Sequence, residues 1–345
     1  MRILAATAVR NEGPYLLEWI AWHRLLGVTD FLFYSNDCTD GIDALLDLLA
    51  GHGVVGHQTH QPPPGKSVQW NALRAAWRHD LRKAADWMLI SDLDEFPVIH
   101  AGAGRFADLL AALPEGTDGV TLPWRLFGAN GRVEISGRPV TQDFTRSAPD
   151  GMRYPIANTF FKSLFRPAAF RSPGVHRPRH RDGDGPRWVD GSGRVLPPEI
   201  GGNDRRLSLI SLNAGRQLAE MHHYSLRSAQ GFIVKADRGL PNRTAKRIDL
   251  GYWVERNFNS QENKAALRLA PELDAEIAAL RALPGVGALH DAALDWHRAR
   301  FSELIATPEV YDIYADILLA QNSAVLPLIV QDGLLRQFMQ LRHNG

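Results

Sequence analysis

The stretch Trp87-Met88-Leu89-Ile90-Ser91-Asp92-Leu93-Asp94-Glu95-Phe96 carries four apolar residues straight into three carboxylates. A run that short and that apolar reads as a strand buried on both faces, and its polar end as the edge of a sheet. The same figure repeats upstream. Ile3 to Val9 is an apolar strand ending at Arg10-Asn11-Glu12, and Phe31-Leu32-Phe33-Tyr34 is a second, ending at Ser35-Asn36-Asp37. Residues 53–56 read as a short third strand. Between them lie amphipathic helices: one opened by Gly13-Pro14 and closed by Gly27, one through Ile42, Leu45, Leu46, Leu48 and Leu49, and one over residues 68–85. Strands alternating with helices of this length predict βαβ crossovers and a doubly wound, mainly parallel α/β sheet. Ligands of such sheets bind beyond the carboxyl ends of the strands, where these polar residues gather.

From about residue 120 the pattern loosens, with strands near Val120-Thr121-Leu122 and Lys162-Ser163-Leu164-Phe165. A Gly/Pro/Arg-rich stretch over residues 171–202 reads as a long loop. From about residue 260 the chain turns helical, with start signals at Pro271 and Thr307-Pro308-Glu309. The division expected is residues 1–255 for the α/β domain and 256–345 for a helical extension packed on it. Formal net charge is +1, which gives no bulk attraction to nucleic acid or anionic lipid. The lone cysteine, Cys38, fits a reducing compartment, and no stretch has the roughly 20 apolar residues of a membrane span. The seven-residue run at the start reads as a strand rather than a signal segment. A soluble, cytoplasmic protein is expected, with peripheral membrane contact left open.

Asp92-Leu93-Asp94 offers paired carboxylates to a divalent cation, which can bridge phosphate oxygens. The triplet is common by chance, and Asp182-Gly183-Asp184 is a second one. Position separates them, because Asp92 directly follows a strand. A solvated turn with a helix cap is the alternative from spacing alone.

Five ordered blocks then bear on the choice. Val9-Arg10-Asn11-Glu12 with Leu17-Glu18-Trp19-Ile20, His23 and Leu26-Gly27-Val28 resembles the opening of bacterial family-2-type glycosyltransferases and the related family-92 enzymes. Asn36-Asp37-Cys38-Thr39-Asp40-Gly41 is similar to their D-N-x-S-T-D-G turn, although Ser35 and Cys38 depart from it. Asp92-Leu93-Asp94-Glu95-Phe96 resembles their D-x-D-E-F metal motif, and Trp124-Arg125-Leu126-Phe127-Gly128 a W-x-x-F-G block. His223-Tyr224-Ser225-Leu226-Arg227-Ser228, followed by Lys235 and Arg238-Gly239, resembles an H-Y-x-x-[KR]-S block.

The resemblance implies a GT-A-type fold and a metal-dependent transfer from a nucleoside-diphosphate sugar, a UDP-sugar first, with inversion at the sugar carbon. It implies Mn2+ or Mg2+ on Asp92, Asp94 and His223, where the cation would neutralise the leaving diphosphate. Arg227, Lys235 and Arg238 would clamp that diphosphate, with residues 222–239 a mobile segment that orders over the donor. Arg10, Asn11, Glu12, Asn36, Asp37 and Asp92 would meet the rest of the donor, and Trp124 and Arg125 would wall the sugar or acceptor. Asn11 and Glu12 equally suit helix caps, Trp124 and Arg125 a packed surface, and His222 and His223 a core-edge pair. Asp143, Asp182, Asp184 and Asp190 are candidates for the general base, with Asp190 chosen for its strand-to-turn context.

Gln69 and Asn71 read as a solvated helix face, and Trp70, Leu73, Trp77 and Leu81 as core. The cluster Arg166, Arg171, His176, Arg177, Arg179, His180 and Arg181 suits either an anionic partner or a solvated loop. A carbohydrate or lipid-linked acceptor is expected and nucleic acid is not. A nucleotidyltransferase would carry a Gly-rich loop after the first strand, where one glycine stands here. A non-catalytic nucleotide-sugar-binding module is the other alternative.

Overall fold

The first strand, β1 (Ile3–Val9), lies inside a nine-stranded sheet and pairs in parallel with β2 (Asp30–Ser35) and β4 (Trp87–Ile90). The computed structural model describes residues 1–62, 65–180, 185–197, 215–239 and 248–343. Beside β2 lies β3 (Gly56–Thr59), and β5 (Glu95–Ile99) follows the acidic turn. The sheet is completed by β6 (Gly119–Leu126), β7 (Phe161–Phe165), β8 (Trp188–Val189) and β9 (Ala219–His223). Its order is β3-β2-β1-β4-β7-β6-β9-β5, with β8 paired to the start of β6. The pairs within β3-β2-β1-β4 are parallel, whereas β7 runs antiparallel to β4 and β6, and β5 antiparallel to β9. This is the expected α/β sheet, mainly parallel with an antiparallel insert.

Alternation along β1 sorts its side chains between two layers. Ile3, Ala5 and Val9 pack with helices α1 (Gly13–Leu26) and α2 (Ile42–Gly51), while Leu4 and Ala6 pack with α3 (Val68–Arg78) on the other face. The expected helix over residues 68–85 is broken at His79, whose extended ψ of 149° separates α3 from the short turn Asp80–Ala84. The third strand starts at Gly56 rather than residue 53, since Gly53 takes a left-handed φ of 73° that closes the preceding turn.

Helix α4 (Ala229–Arg238) follows β9. Helices α5 (Ala270–Arg281), α6 (Val286–Leu304), α7 (Pro308–Leu319) and α8 (Leu328–His343) form the C-terminal part. Helix α5 packs on α1, and α6 on α1, α2 and α4. The approach of α6 is close. A Cβ on Gly13 would meet the Ala293 Cβ at 2.5 Å, and Asp40 accepts both the Gly13 N–H at 2.8 Å and the His297 Nε2 at 3.1 Å. No helix among the described residues is long and apolar enough to cross a membrane.

Candidate active site

The turn between β4 and β5 sets the centre. Its backbone folds tightly: the Asp92 N–H donates to Glu95 Oε2 at 2.8 Å, and the Glu95 N–H to the Asp92 carbonyl at 3.1 Å. Lys162, inside β7 and fully buried, places Nζ 3.1 Å from both Asp92 Oδ2 and Glu95 Oε2. A buried ammonium is tolerable only when paired in this way. Burial pushes Glu95 up to about 8 against the pull of Lys162. For Lys162 burial acts downward, yet Asp92 and Glu95 outweigh it and hold the ammonium above its ordinary value. The other Asp92 oxygen accepts from Gln69 Nε2 at 3.1 Å.

Asp94 has different partners. His223, at the end of β9, places Nε2 3.5 Å from Asp94 Oδ1, and Lys235 of α4 places Nζ 2.7 Å from Oδ2. The register that pairs His223 with Glu95 across β9 and β5 brings the histidine there. Burial pushes the Asp94 carboxyl up, but Lys235, His223 and Arg227 more than offset it, leaving it well below the usual range. Burial lowers His223, leaving a neutral imidazole at pH 7. Its ring centroid lies 4.0 Å from that of Trp124. The buried Nδ1 of His223, Nε1 of Trp124 and Oε1 of Gln69 have no partner among the described residues. Three orphaned polar atoms around one carboxylate turn mark a site built for a polar ligand.

Glu12, Arg227 and Arg238 form a second layer. Glu12 lies 2.9 Å from Arg238 and 3.9 Å from Arg227, whose guanidinium sits 3.3 Å over the Tyr15 ring. The turns after β1 and β2 are zipped together: Arg10 Nε donates to the Asp37 carbonyl, and Asn11 exchanges hydrogen bonds with Thr39. Asn36 donates to the His60 carbonyl at 2.8 Å. Ser35 is fully buried and bonded to His57, which is held in turn by Asp47 at 2.7 Å. Cys38 turns inward toward the Val9 and Asn36 carbonyls, and burial pushes its thiol up to about 12.

Several expectations need correction. Arg125 does not wall the site. It points to the opposite face of β6 from Trp124, and pairs with Glu220 at 2.8 Å in a buried group with His222. Asp190 is a turn staple, since its oxygens accept from the N–H groups of Ser192, Arg194 and Gly215 and from the Arg194 guanidinium. Nothing is left of it to serve as a base at the acidic turn. Asp143 is held by Ser136, Arg132 and Arg138. Residues 222–239 form no loose flap, because β9 is an interior strand and α4 buries Phe232, Ile233 and Val234. The carboxylate of Asp94 does not face open solvent; the residue is 7% exposed.

Gln69 is buried in the site rather than solvated. It shares the stripe of Ala72, Leu73 and Ala76, and that spacing was the available signal. Lys162 was missed as well, although a lysine within Phe160-Phe161-Lys162-Ser163-Leu164-Phe165 is a signal of its own. Leu73, Trp77 and Leu81 join the second core layer, but Trp70 is only half-buried and outside it. His176 lies 5.5 Å from the Trp124 ring and is pushed to about 4, chiefly by burial, so one member of the basic cluster is core to the site. Arg181, Asp182 and Asp184 lie outside the described residues.

For a divalent cation, Asp94 and His223 converge as one carboxylate and one neutral imidazole, a donor pair that substrate phosphate oxygens and water would complete. Asp92 stands apart from that pair, with one oxygen on Gln69 and the other on Lys162, and its side chain is still partly exposed. Among the described residues no group of three or more His, Cys, Asp or Glu is placed to hold a metal by itself.

A family model described as glycosyltransferase family 92 matches residues 9–197, slightly more than half of the chain. The match takes in the acidic turn and Lys162 and stops before His223. A glycosyltransferase family 92 protein of Oryza sativa subsp. japonica is 26% identical over 179 residues, 50% of this chain and 28% of that one. One of Ricinus communis is 25% identical over 193 residues, 55% of this chain and 33% of the other. The chain thus spans about a third of the length of these curated relatives. Among solved structures it is similar to the mannosyltransferase PcManGT of Pyrobaculum calidifontis in complex with GDP-Man and Mn2+ (12% identity, TM-score 0.31, 92% of this chain and 85% of that one). S. aureus TarS 1–349 in complex with UDP is another (12% identity, TM-score 0.34, 93% and 89%).

Proposed function

The chain belongs to glycosyltransferase family 92, and from that premise we propose that it moves a sugar from a nucleoside-diphosphate sugar to an acceptor hydroxyl at the Asp94–His223–Lys235 cluster. One observation carries the reading. Two residues more than 120 positions downstream, His223 and Lys235, converge on the single carboxylate of Asp94. A buried carboxylate flanked by an imidazole and an ammonium suits the place where a diphosphate leaves, because charge develops there as the sugar–phosphate bond breaks.

The residues take roles from their placement. Asp94 and His223 would hold Mn2+ or Mg2+, which would supply Lewis-acid neutralisation of the departing diphosphate. Lys235 stands beside that point, with Arg227 and Arg238 behind it on Glu12, so positive charge is fixed in place before the donor arrives. Asp92, oriented by Gln69 and Lys162 and still partly exposed, faces the donor as a hydrogen-bond acceptor. Trp124 closes the side next to His223 and keeps water from it. A UDP-sugar and a carbohydrate acceptor are the substrates proposed, in a cytoplasmic setting.

The test is calorimetric titration of UDP and GDP with and without Mn2+ against the parent and Asp94→Asn, the latter checked for folding by near-UV circular dichroism. One nucleotide should bind the parent only with Mn2+, and Asp94→Asn should weaken it by about a hundredfold, the scale of losing a charge-assisted ligand. A folded Asp94→Asn that binds as the parent does would sink the assignment.

A further inference from the structure

With Asp143 and Asp190 tied up elsewhere, the transfer still needs a group to take the proton of the acceptor hydroxyl. The described carboxylates around the centre are engaged. Glu12 is on Arg238, Glu18 on the Val140 and Thr141 N–H groups, Glu220 on Arg125, and Glu95 on Lys162. Asp92 holds Gln69 and Lys162, and Asp94 faces His223 and Lys235. The uncharged base left beside them is His176. Its ring centroid lies 5.5 Å from that of Trp124 and 5.3 Å from that of Phe160. Trp124 also carries His223, at 4.0 Å, so two imidazoles share one indole neighbour.

The hydrogen bonding of His176 chooses its tautomer. Nδ1 lies 3.0 Å from the Phe161 carbonyl oxygen, which can only accept, so Nδ1 carries the proton. Nε2 keeps its lone pair, and no other hydrogen bond holds the ring among the described residues. The residue is partly exposed, which leaves that nitrogen for a ligand. The backbone is pinned as well. Ser163 Oγ donates to the His176 carbonyl at 2.9 Å, so this loop residue is fixed to β7 at two points. Burial, and behind it the Lys162 ammonium, keeps the imidazole neutral at pH 7.

We infer that His176 is the general base of the transfer and takes the acceptor proton on Nε2, a role that rests on the transferase reading. Contacts run in order from Lys235 to Asp94, His223, Trp124 and His176. The diphosphate belongs at one end of that row and the base at the other, as displacement with inversion requires. Between them, the orphaned Nε1 of Trp124 is left to meet a sugar hydroxyl. The acceptor oxygen bonds to the sugar carbon as its proton passes to Nε2. The sugar–phosphate bond breaks, and its electron pair leaves on the diphosphate. The imidazolium then returns the proton to solvent. An imidazole at about 4 matches an ordinary carboxylate in basicity, and an anionic donor beside it raises it further.

Water can stand in for the acceptor, so the probes are UDP-glucose, UDP-galactose, UDP-N-acetylglucosamine and GDP-mannose, each with Mn2+. Calorimetry reads binding, and release of free sugar reads hydrolysis. His176→Asn keeps an amide N–H where Nδ1 stood but has no lone pair in place of Nε2, and His176→Ala leaves a gap that added imidazole can fill. His176→Asn should bind the best sugar nucleotide within about twofold of the parent. It should hydrolyse it about 100- to 10,000-fold more slowly, the range of a lost general base. Imidazole should speed His176→Ala and leave the parent unchanged. Melting curves check each fold, and histidine 15N NMR of the parent needs no variant: His176 should carry its proton on Nδ1 at pH 7. A parent that binds a sugar nucleotide without hydrolysing it would overturn the inference, as would a folded His176→Asn that hydrolyses at the parent's rate. So would a variant that loses binding and rate together, or a His176 protonated on Nε2. Failure of the transferase reading looks different: no sugar nucleotide binds the parent, whatever the tautomer of His176.

Discussion

Lys162 shows how much one side chain can hold in place. It is fully buried, and it touches both Asp92 and Glu95, two carboxyl groups that each disfavour the ionised form of the other. Lys162→Met removes the ammonium that both carboxyl groups face and leaves them without their shared partner. Removing one member of a buried pair costs about 3–5 kcal/mol, so urea unfolding should show a loss of that order. Adding Glu95→Gln should recover part of it, because the fully buried carboxyl group that lost its partner is then gone. Activity in the double variant should stay low, since Asp92 would have lost its orienting partner. Unchanged stability of Lys162→Met would mean that the lysine is not the counter-ion it looks to be.

At the scale of elements, α4 carries the weight that sequence reading assigned to a flap. Its N-terminus is capped by the Ser228 Oγ, which accepts the Gly231 N–H at 3.2 Å, and its inner face buries Phe232, Ile233 and Val234. Lys235 and Arg238 then latch it to Asp94 and Glu12. Amides of this helix should therefore exchange slowly without any ligand, at rates near those of β9. Adding Mn2+ with UDP should change them little. Fast exchange in the free protein, slowed only by ligand, would restore the mobile-segment picture.

For the molecule as a whole, buried histidines set the response to acid. Burial pushes His23 down to about 3, and His176 and His290 to about 4. Each is neutral in the fold and ordinary, near 6.5, when unfolded. A lowered folded value means that the unfolded chain binds the proton first, so stability is present above 6.5 and is lost as pH falls toward 4. Glu18 works the other way: burial pushes it up to about 7, so its share is lost as pH rises from 4.5 to 7. Glu95, pushed up to about 8, acts in the same sense, and three groups against two predict a lower unfolding free energy at pH 4.5 than at pH 6.5. His23→Gln should flatten that slope by about 1.4 kcal/mol per pH unit, whatever it does to stability at pH 7. Parallel slopes for parent and variant would show that His23 is not buried as the neutral form.

The sequence by itself determined the alternation of strands and helices, the polar strand ends and the acidic turn, because apolar period and capping residues are local properties. It also nominated His223 and Lys235, through likeness of blocks rather than through any local signal. Tertiary structure alone decided which face each side chain took. Every residue of β6 is buried, so alternation along it gives no contrast, and Trp124 and Arg125 could not be told apart by pattern. Pairing of β6 with β9 sends Trp124 to His223 and Arg125 to Glu220. The same holds for the counter-ion of Asp92 and for the fate of Asp190, where long-range contacts choose between an open carboxylate and a satisfied one. It holds again for α6, whose Trp296 and His297 look like ordinary helix residues until the fold sets them beside the turns of β1 and β2.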